Sequence, residues 1–278
     1  MNNAEKRSKD FSKKVKSACN AFQRRNIGPK QVIEDIINYC CILLADKDFI
    51  TKAFPRTLYQ FSSSFGAISF SHYKDEPRAH EIVQELVQDF ITLIKESEPF
   101  TDTLGMLYDE YLGQTLGQFL TPPDVAYVLA AINLQGEDFS QERGISDCCG
   151  CGAGSLLLGS LRYIHETHGK EAIAKVHVSA VDLDINMVRM TAVQIVLHSI
   201  LHQAPLASFR VSYGNAITDY TAINNHEKIG YWWIPKAPLD MYADIVGNRE
   251  LDEVITLLKE FSEVTEKIKN KSNEMETV

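Results

Sequence analysis

Long apolar runs are missing from this chain: no stretch reaches the roughly 18 uninterrupted apolar residues that a bilayer crossing requires. No secretory signal pattern is read at the start either, where the residues are charged throughout. An excess of positive charge is also missing. With 28 basic against 37 acidic residues and a net charge of −9, the chain is a poor candidate for coating DNA unaided, because neutralising phosphates takes a basic surface. Six cysteines in 278 residues do not make a disulfide framework. The adjacent pairs Cys40-Cys41 and Cys148-Cys149 suit reduced thiols, which points to the cytoplasm. Internal repeats, low-complexity tracts, Ser/His/Asp orders and paired-carboxylate patterns are absent as well. Cys148-x-x-Cys151 has the spacing of a zinc or redox pair, but no second such pair accompanies it, so no metal is expected. The eight histidines are scattered. His198 and His202 stand four apart and read as a helix-surface pair rather than as ligands.

What the chain does have is a glycine-dense turn. Ile145-Ser-Asp-Cys-Cys-Gly-Cys-Gly-Ala-Gly154 reads as a short strand, an acid, a turn carrying Gly150, Gly152 and Gly154, and then an apolar helix over 155–164. Glycines there let backbone approach a ligand closely, and the helix that follows aims free N–H groups at the same place. A tight turn of purely structural purpose has the same look.

Around this turn the spacing predicts two textures. Residues 1–112 form an N-terminal helical region, with apolar stripes at helical period over 31–44 and 78–97. A loop is expected over 61–73 and a capped helix from Thr101 or Asp102 to Leu112. The basic run Lys6, Arg7, Lys9, Lys13, Lys14, Lys16, Arg24 and Arg25 reads as a solvated terminus, or alternatively as an arm for phosphates. Residues 113–278 alternate short strands with helices, the mark of a parallel sheet with crossover connections. Thr121 is the expected N-cap and Pro122 the first residue of a helix over 124–133. Strands are expected over 176–181, 209–213 and 242–246, helices over 155–168 and 186–202, and a polar amphipathic helix over 251–267.

In an open α/β sheet, ligands sit beyond the carboxyl ends of the strands. Three such ends carry polar residues here: Asp147 with the glycines, Asp182, and Gly214-Asn215. An acid at the second of these positions can accept both hydroxyls of a ribose, which fits either a dinucleotide or S-adenosylmethionine. The segment Gly117-Gln-Phe-Leu-Thr-Pro-Pro-Asp-Val125, preceded by Leu104-Gly-Met-Leu-Tyr-Asp-Glu-Tyr-Leu112, makes the choice. Together they resemble the adenine-N6 DNA methylases, in particular the methylation subunit of type I restriction-modification systems and short plasmid- or phage-borne proteins of that kind. In that family a Leu-Gly-x-x-Tyr-Glu helix leads into Gly-Gln-Phe-x-Thr-Pro, and an Asp-Pro-x-Cys-Gly-x-Gly turn follows. The resemblance spans residues 104–216. A dinucleotide-dependent oxidoreductase has no use for Gln-Phe-x-Thr-Pro.

The resemblance implies an α/β fold, a class I S-adenosylmethionine-dependent (Rossmann-like) methyltransferase sheet, truncated at its far end, with an N-terminal helical domain. It implies S-adenosylmethionine as cofactor and DNA as substrate. Carried over by position, Phe119, Thr121 and Pro122 would contact the cofactor, and Asp147, Cys149, Gly150, Gly152 and Gly154 would lie under its methionine part. Asp182 would hold the ribose, and Leu183, Asn215 and Ala216 would flank the adenine. Aligned on the turn, Asp147 falls on the family's proline and Ser146 on its acid. The catalytic Asn-Pro-Pro-Phe/Tyr, which accepts hydrogen bonds from the amino group and stacks on the flipped base, is absent. The nearest candidate is Asn248, in Val-Gly-Asn-Arg-Glu250, with neither prolines nor aromatic; as a helix cap it reads equally well. Trp232-Trp233 is an alternative stacking surface, or a pair buried at a sheet edge or partner interface. Two functions are therefore expected: a methyltransferase completed by a partner such as a specificity subunit, or a non-catalytic methyltransferase-fold subunit for assembly, DNA docking or anti-restriction.

Overall fold

The computed structural model describes residues 3–22, 27–46, 58–108, 120–217 and 229–234. Periodicity decides most of the elements. Helices α1 (Asn3–Phe22), α2 (Pro29–Ala45) and α3 (Pro77–Glu96) come first, with strand β1 (Leu58–Phe61) between the second and third. Then follow α4 (Pro123–Leu134), β2 (Arg143–Asp147), α5 (Ser155–His168), β3 (Val176–Asp182), α6 (Ile185–Leu201), β4 (Ser208–Tyr213) and β5 (Ile229–Ile234). Among the described residues no helix is long and apolar enough to cross a membrane.

The five strands form one sheet in the order β1-β5-β4-β3-β2. β2, β3 and β4 are parallel, as crossover helices require, whereas β5 is antiparallel to both β4 and β1. The sheet is thus mixed rather than parallel throughout, and the N-terminal region contributes a strand to it. Alternation along the strands sorts their side chains. Val178, Ala180, Phe209 and Val211 are buried, while His177, Ser179, Ser208 and Arg210 are half-exposed on the other face. There Ser146 bonds Ser179, and His177 bonds Ser208. β2 pairs with β3 alone among the described residues, and Arg143, Gly144 and Ser146 are exposed.

α6 is the axis of the core. Every residue from Met187 to Ile200 is buried, since the helix packs on β3, β4 and β5 with one side and on α2 and α3 with others. α1 lies over α3 and α2. The basic run from Lys6 to Lys16 therefore lies on the solvated face of a packed helix, and Arg24 and Arg25 lie outside the described residues. Phe11, Val15, Ala18, Cys19 and Phe22 enter the core, and Arg7 and Lys14 pair with Glu96 and Asp89 of α3. The expected 61–73 loop instead holds the end of β1, a short helix Ser63–Gly66 capped by the Ser62 hydroxyl, and a 3-10 turn Ser71–Tyr73. Asp35, fully buried on α2, accepts hydrogen bonds from Tyr73, His72 and Gln31 and ties that turn down.

Two local expectations change. Pro122, not Thr121, is the N-cap of α4, with ψ 140°, and Pro123 begins the helix. A residue followed by proline is pushed out of the helical region, which sets the start one residue later. Trp232 and Trp233 belong to β5, which sits between β4 and β1 rather than at a sheet edge. The expected strand over 242–246 and helix over 251–267 lie outside the described residues, as do residues 109–112 of the expected 101–112 helix.

Candidate functional site

The carboxyl ends of β2, β3 and β4 meet at one end of the sheet. Backbone bonds lock them there: Cys151 N–H donates to Val181 O (2.9 Å), and Gly214 N–H to Asp182 O (2.9 Å). The turn after β2 needs its glycines. Gly150, Gly152 and Gly154 have φ of 115°, 55° and 86°, conformations that a side chain disfavours. A Cβ at Gly150 would meet nothing nearer than Asp182 Oδ2 at 3.9 Å, whereas one at Gly152 would press on Leu120 at 3.0 Å. The turn is therefore open above Gly150 and covered by Leu120 over Gly152. Gly154 is the N-cap of α5 and makes no side-chain capping bond.

Asp182, half-buried at the end of β3, clasps this turn. Its Oδ2 accepts from Gly152 N–H (2.9 Å) and its Oδ1 from Asp184 N–H (2.8 Å). Each carboxylate oxygen offers about two lone-pair directions, so one on each oxygen is left for a ligand donor. Asp147 ends β2 beside it. Burial pushes the Asp147 carboxyl above the ordinary carboxylate range, the Cys149 N–H bonded to it draws it down, and the nearby Asp182 charge raises it further. An acid therefore stands next to Asp182 at the end of β2.

Exposed apolar side chains follow the ends of β3 and β4. Leu183 is 65% exposed and Ile217 89% exposed, with Tyr213 close to half-exposed. Bare apolar groups beside a polar cleft are the usual lining of a small-molecule site. Asn215 turns inward on its own loop, its Oδ1 accepting from Ile217 N–H (2.9 Å), and Ala216 is half-buried. Glu34 of α2 and Tyr108 stand near Asp184, so the N-terminal helices reach this end of the sheet. Burial raises the Glu34 carboxyl, and Asp184 raises it further despite Lys30. Burial and the Asp184 and Glu34 charges lift Tyr108 to about 12.

The structure thus brings together Thr121 and Pro122, the turn with Asp147, Cys149, Gly150, Gly152 and Gly154, and the group Asp182, Leu183, Asn215 and Ala216. Phe119 and Asn248 lie outside the described residues. Sequence reading missed Tyr213, Ile217, Glu34 and Leu120. Tyr213 and Ile217 carried a signal, being apolar residues next to a strand end and a glycine; Glu34 and Leu120 carried none. The six cysteines are thiols, with Cys148 and Cys149 exposed and the other four buried. His198 is not on a helix surface but buried in the core, and His202, the half-buried C-cap of α6, bonds Ile94 O. Among the described residues no three His, Cys, Asp or Glu side chains cluster as a metal site would require.

The donor set fits an adenosyl group: a carboxylate with free lone pairs for ribose hydroxyls, apolar surfaces for a base, and an open glycine turn beside them. Residues 100–230 match the family model described as N-6 DNA Methylase. No curated protein matches the chain.

Proposed function

We propose, from the match of residues 100–230 to the N-6 DNA Methylase family model, that this chain binds S-adenosylmethionine and serves methyl transfer to adenine N6 in DNA, on a class I methyltransferase sheet. The observation that carries this reading is the clasp of Asp182 on Gly152 N–H at the carboxyl ends of the parallel strands. In the proposed complex Asp182 accepts the ribose hydroxyls, and Asp147 with residues 149–154 supports the methionine part. Phe119, Thr121 and Pro122 close over that end, while Leu183, Asn215 and Ala216 flank the adenine. The cofactor supplies the methyl group.

The base site is the incomplete part. Asn248 is the proposed acceptor for the adenine amino group. Arg249 and Glu250, not prolines and an aromatic ring, directly follow Asn248. Each preorganised polar group aimed at developing charge is worth about 10² to 10³ in rate. We therefore propose that the chain needs a partner subunit that contributes basic surface and DNA recognition, in the manner of restriction-modification assemblies. The α4 stripe Val125, Val128, Leu129 and Ile132, 41–68% exposed, gives such a partner an apolar contact. The missing Asn-Pro-Pro-aromatic favours one other reading, a cofactor-binding subunit without chemistry that acts in assembly, DNA docking or anti-restriction.

Tritiated methyl transfer to mixed-sequence DNA tests this, with the chain alone and then with candidate DNA-recognition subunits. Little or no transfer is expected from the chain alone. Robust transfer by the chain alone, abolished by Asn248→Ala, contradicts the need for a partner. No transfer with any partner, alongside intact cofactor binding, favours the non-catalytic subunit.

A further inference from the structure

Four polar side chains run along buried α6: Thr191, Gln194, His198 and His202, at spacings that put them on one stripe of the helix. Each holds backbone of another segment. His202 Nε2–H donates to Ile94 O (2.9 Å). His198 accepts from Phe100 N–H at Nδ1 (3.0 Å) and donates from Nε2 to Thr101 O (2.9 Å). Thr191 donates to Gly152 O (2.8 Å). Gln194 does the most. Its Oε1 accepts from Thr103 and Leu104 N–H (2.9 Å each), and its Nε2 donates to Asp102 Oδ1 and Ala153 O (2.9 Å each). An amide side chain has two donors and two acceptor lone pairs, so every one of them is in use. Asp102 closes the circuit, accepting from Gly105 N–H (2.7 Å) and from the hydroxyl of Ser155, the first residue of α5.

Resting on the reading of the glycine turn as the methionine end of a cofactor pocket, we infer that Gln194 is a positioning residue. It fastens the turn at Ala153 to the buried segment 102–104, so that the turn is held in one fixed geometry before ligand arrives. A buried residue needed only for helix packing would be apolar, like its neighbours Val193 and Ile195. Fully satisfied polar networks are the device that fixes one geometry where packing alone tolerates several. Gln194 touches no ligand itself and acts through the turn.

The test compares Gln194→Met and Thr191→Val with the wild type. Val83→Ala, a core substitution in α3 remote from the site, is the control for plain destabilisation. Calorimetry measures S-adenosylmethionine and 5′-methylthioadenosine, which lacks the amino-acid end; hydrogen exchange is read on peptides across the ligand-free chain. Gln194→Met is expected to weaken S-adenosylmethionine by about 10- to 100-fold, the range for groups that orient a site from behind, with methylthioadenosine changed less than about threefold. Exchange should rise in peptides covering 100–105 and 148–156 and stay level elsewhere, while Val83→Ala leaves both affinities unchanged. Equal losses for both ligands, or exchange raised uniformly, would overturn the inference. Should Gln194→Met not fold, Thr191→Val, which frees the turn at Cys151 and Gly152 only, must show the same selective pattern at smaller size, and its failure to do so is equally decisive. If the wild type binds no S-adenosylmethionine, the cofactor reading falls, and the ligand-free exchange pattern still decides whether Gln194 joins the two segments.

Discussion

Gly159→Ala probes how α4 is held over the site. α4 and α5 cross at Gly159 so closely that a Cβ there would lie 2.7 Å from Ala126 C, 2.9 Å from Ala126 O and 2.9 Å from Tyr127 N. These are backbone atoms, which no rotamer change can move aside. Ordinary contact would return only if the helices parted by roughly 1 Å. Overpacking of this kind costs about 1–3 kcal/mol, which at about 2–4 °C per kcal/mol lowers the melting temperature by roughly 2–12 °C. The outer face of α4 is exposed at Val125, Val128 and Ile132, so α4 is the helix that gives way. Thr121 and Pro122 at its start then shift with it, and affinity for S-adenosylmethionine falls along with stability. Thermal melting and calorimetry on the same samples measure both effects. Gly144→Ala is the control, since a Cβ there meets nothing within 4 Å. If Gly159→Ala matched Gly144→Ala in melting temperature and in affinity, the account of the crossing would be refuted.

Acid should weaken the fold through the histidines of α6. Burial holds His198 at about 3 and His202 at about 4, against an ordinary value of about 6.5. Their contribution is therefore complete above about pH 6.5 and is lost as pH falls toward 4 and then 3. Burial raises the carboxyls of Asp35 and Asp102 and acts in the opposite sense, so the check is a comparison: urea midpoints of His198→Asn should fall less steeply between pH 7.5 and 5 than those of the wild type. Equal slopes would remove His198 from the pH response. Alkylation of the native chain by a maleimide should label Cys148 and Cys149 and spare the four buried cysteines, as read by peptide mass. Saturating S-adenosylmethionine should protect Cys149, and unchanged labelling there would move the ligand off the turn.

The sequence made some features plain and hid others for physical reasons. α2 and α3 were legible from their apolar period, α4 from the proline at its start, and β3 and β4 from the alternation of short strands with helices, because these signals are local. β1 was not, because four residues at Leu58–Phe61 become a strand only by pairing with 231–234, far along the chain. β5 was hidden likewise: Trp232-Trp233 drew attention as a stacking surface, while its pairing partners come from both halves of the sequence. At the site, Asp182 and the glycines were legible because the strand-turn-helix order marks the ligand end of a sheet. The polar stripe of α6 was not. A helix buried on all sides has no solvent face for Gln194 or His198 to mark, and their backbone partners on 100–104 and 152–153 exist only in the folded chain. Leu120 was hidden in the same way, since its role is to sit on Gly152.

Calorimetric titration of S-adenosylmethionine into the wild-type chain and into Asp182→Ala tests the central claim most directly. The wild type should bind, and Asp182→Ala should lose about 1.5–3 kcal/mol, the worth of hydrogen bonds to a charged group, with melting changed much less than binding. No heat of binding at millimolar ligand, or equal affinity in the two proteins, would contradict the assignment of this site to the cofactor.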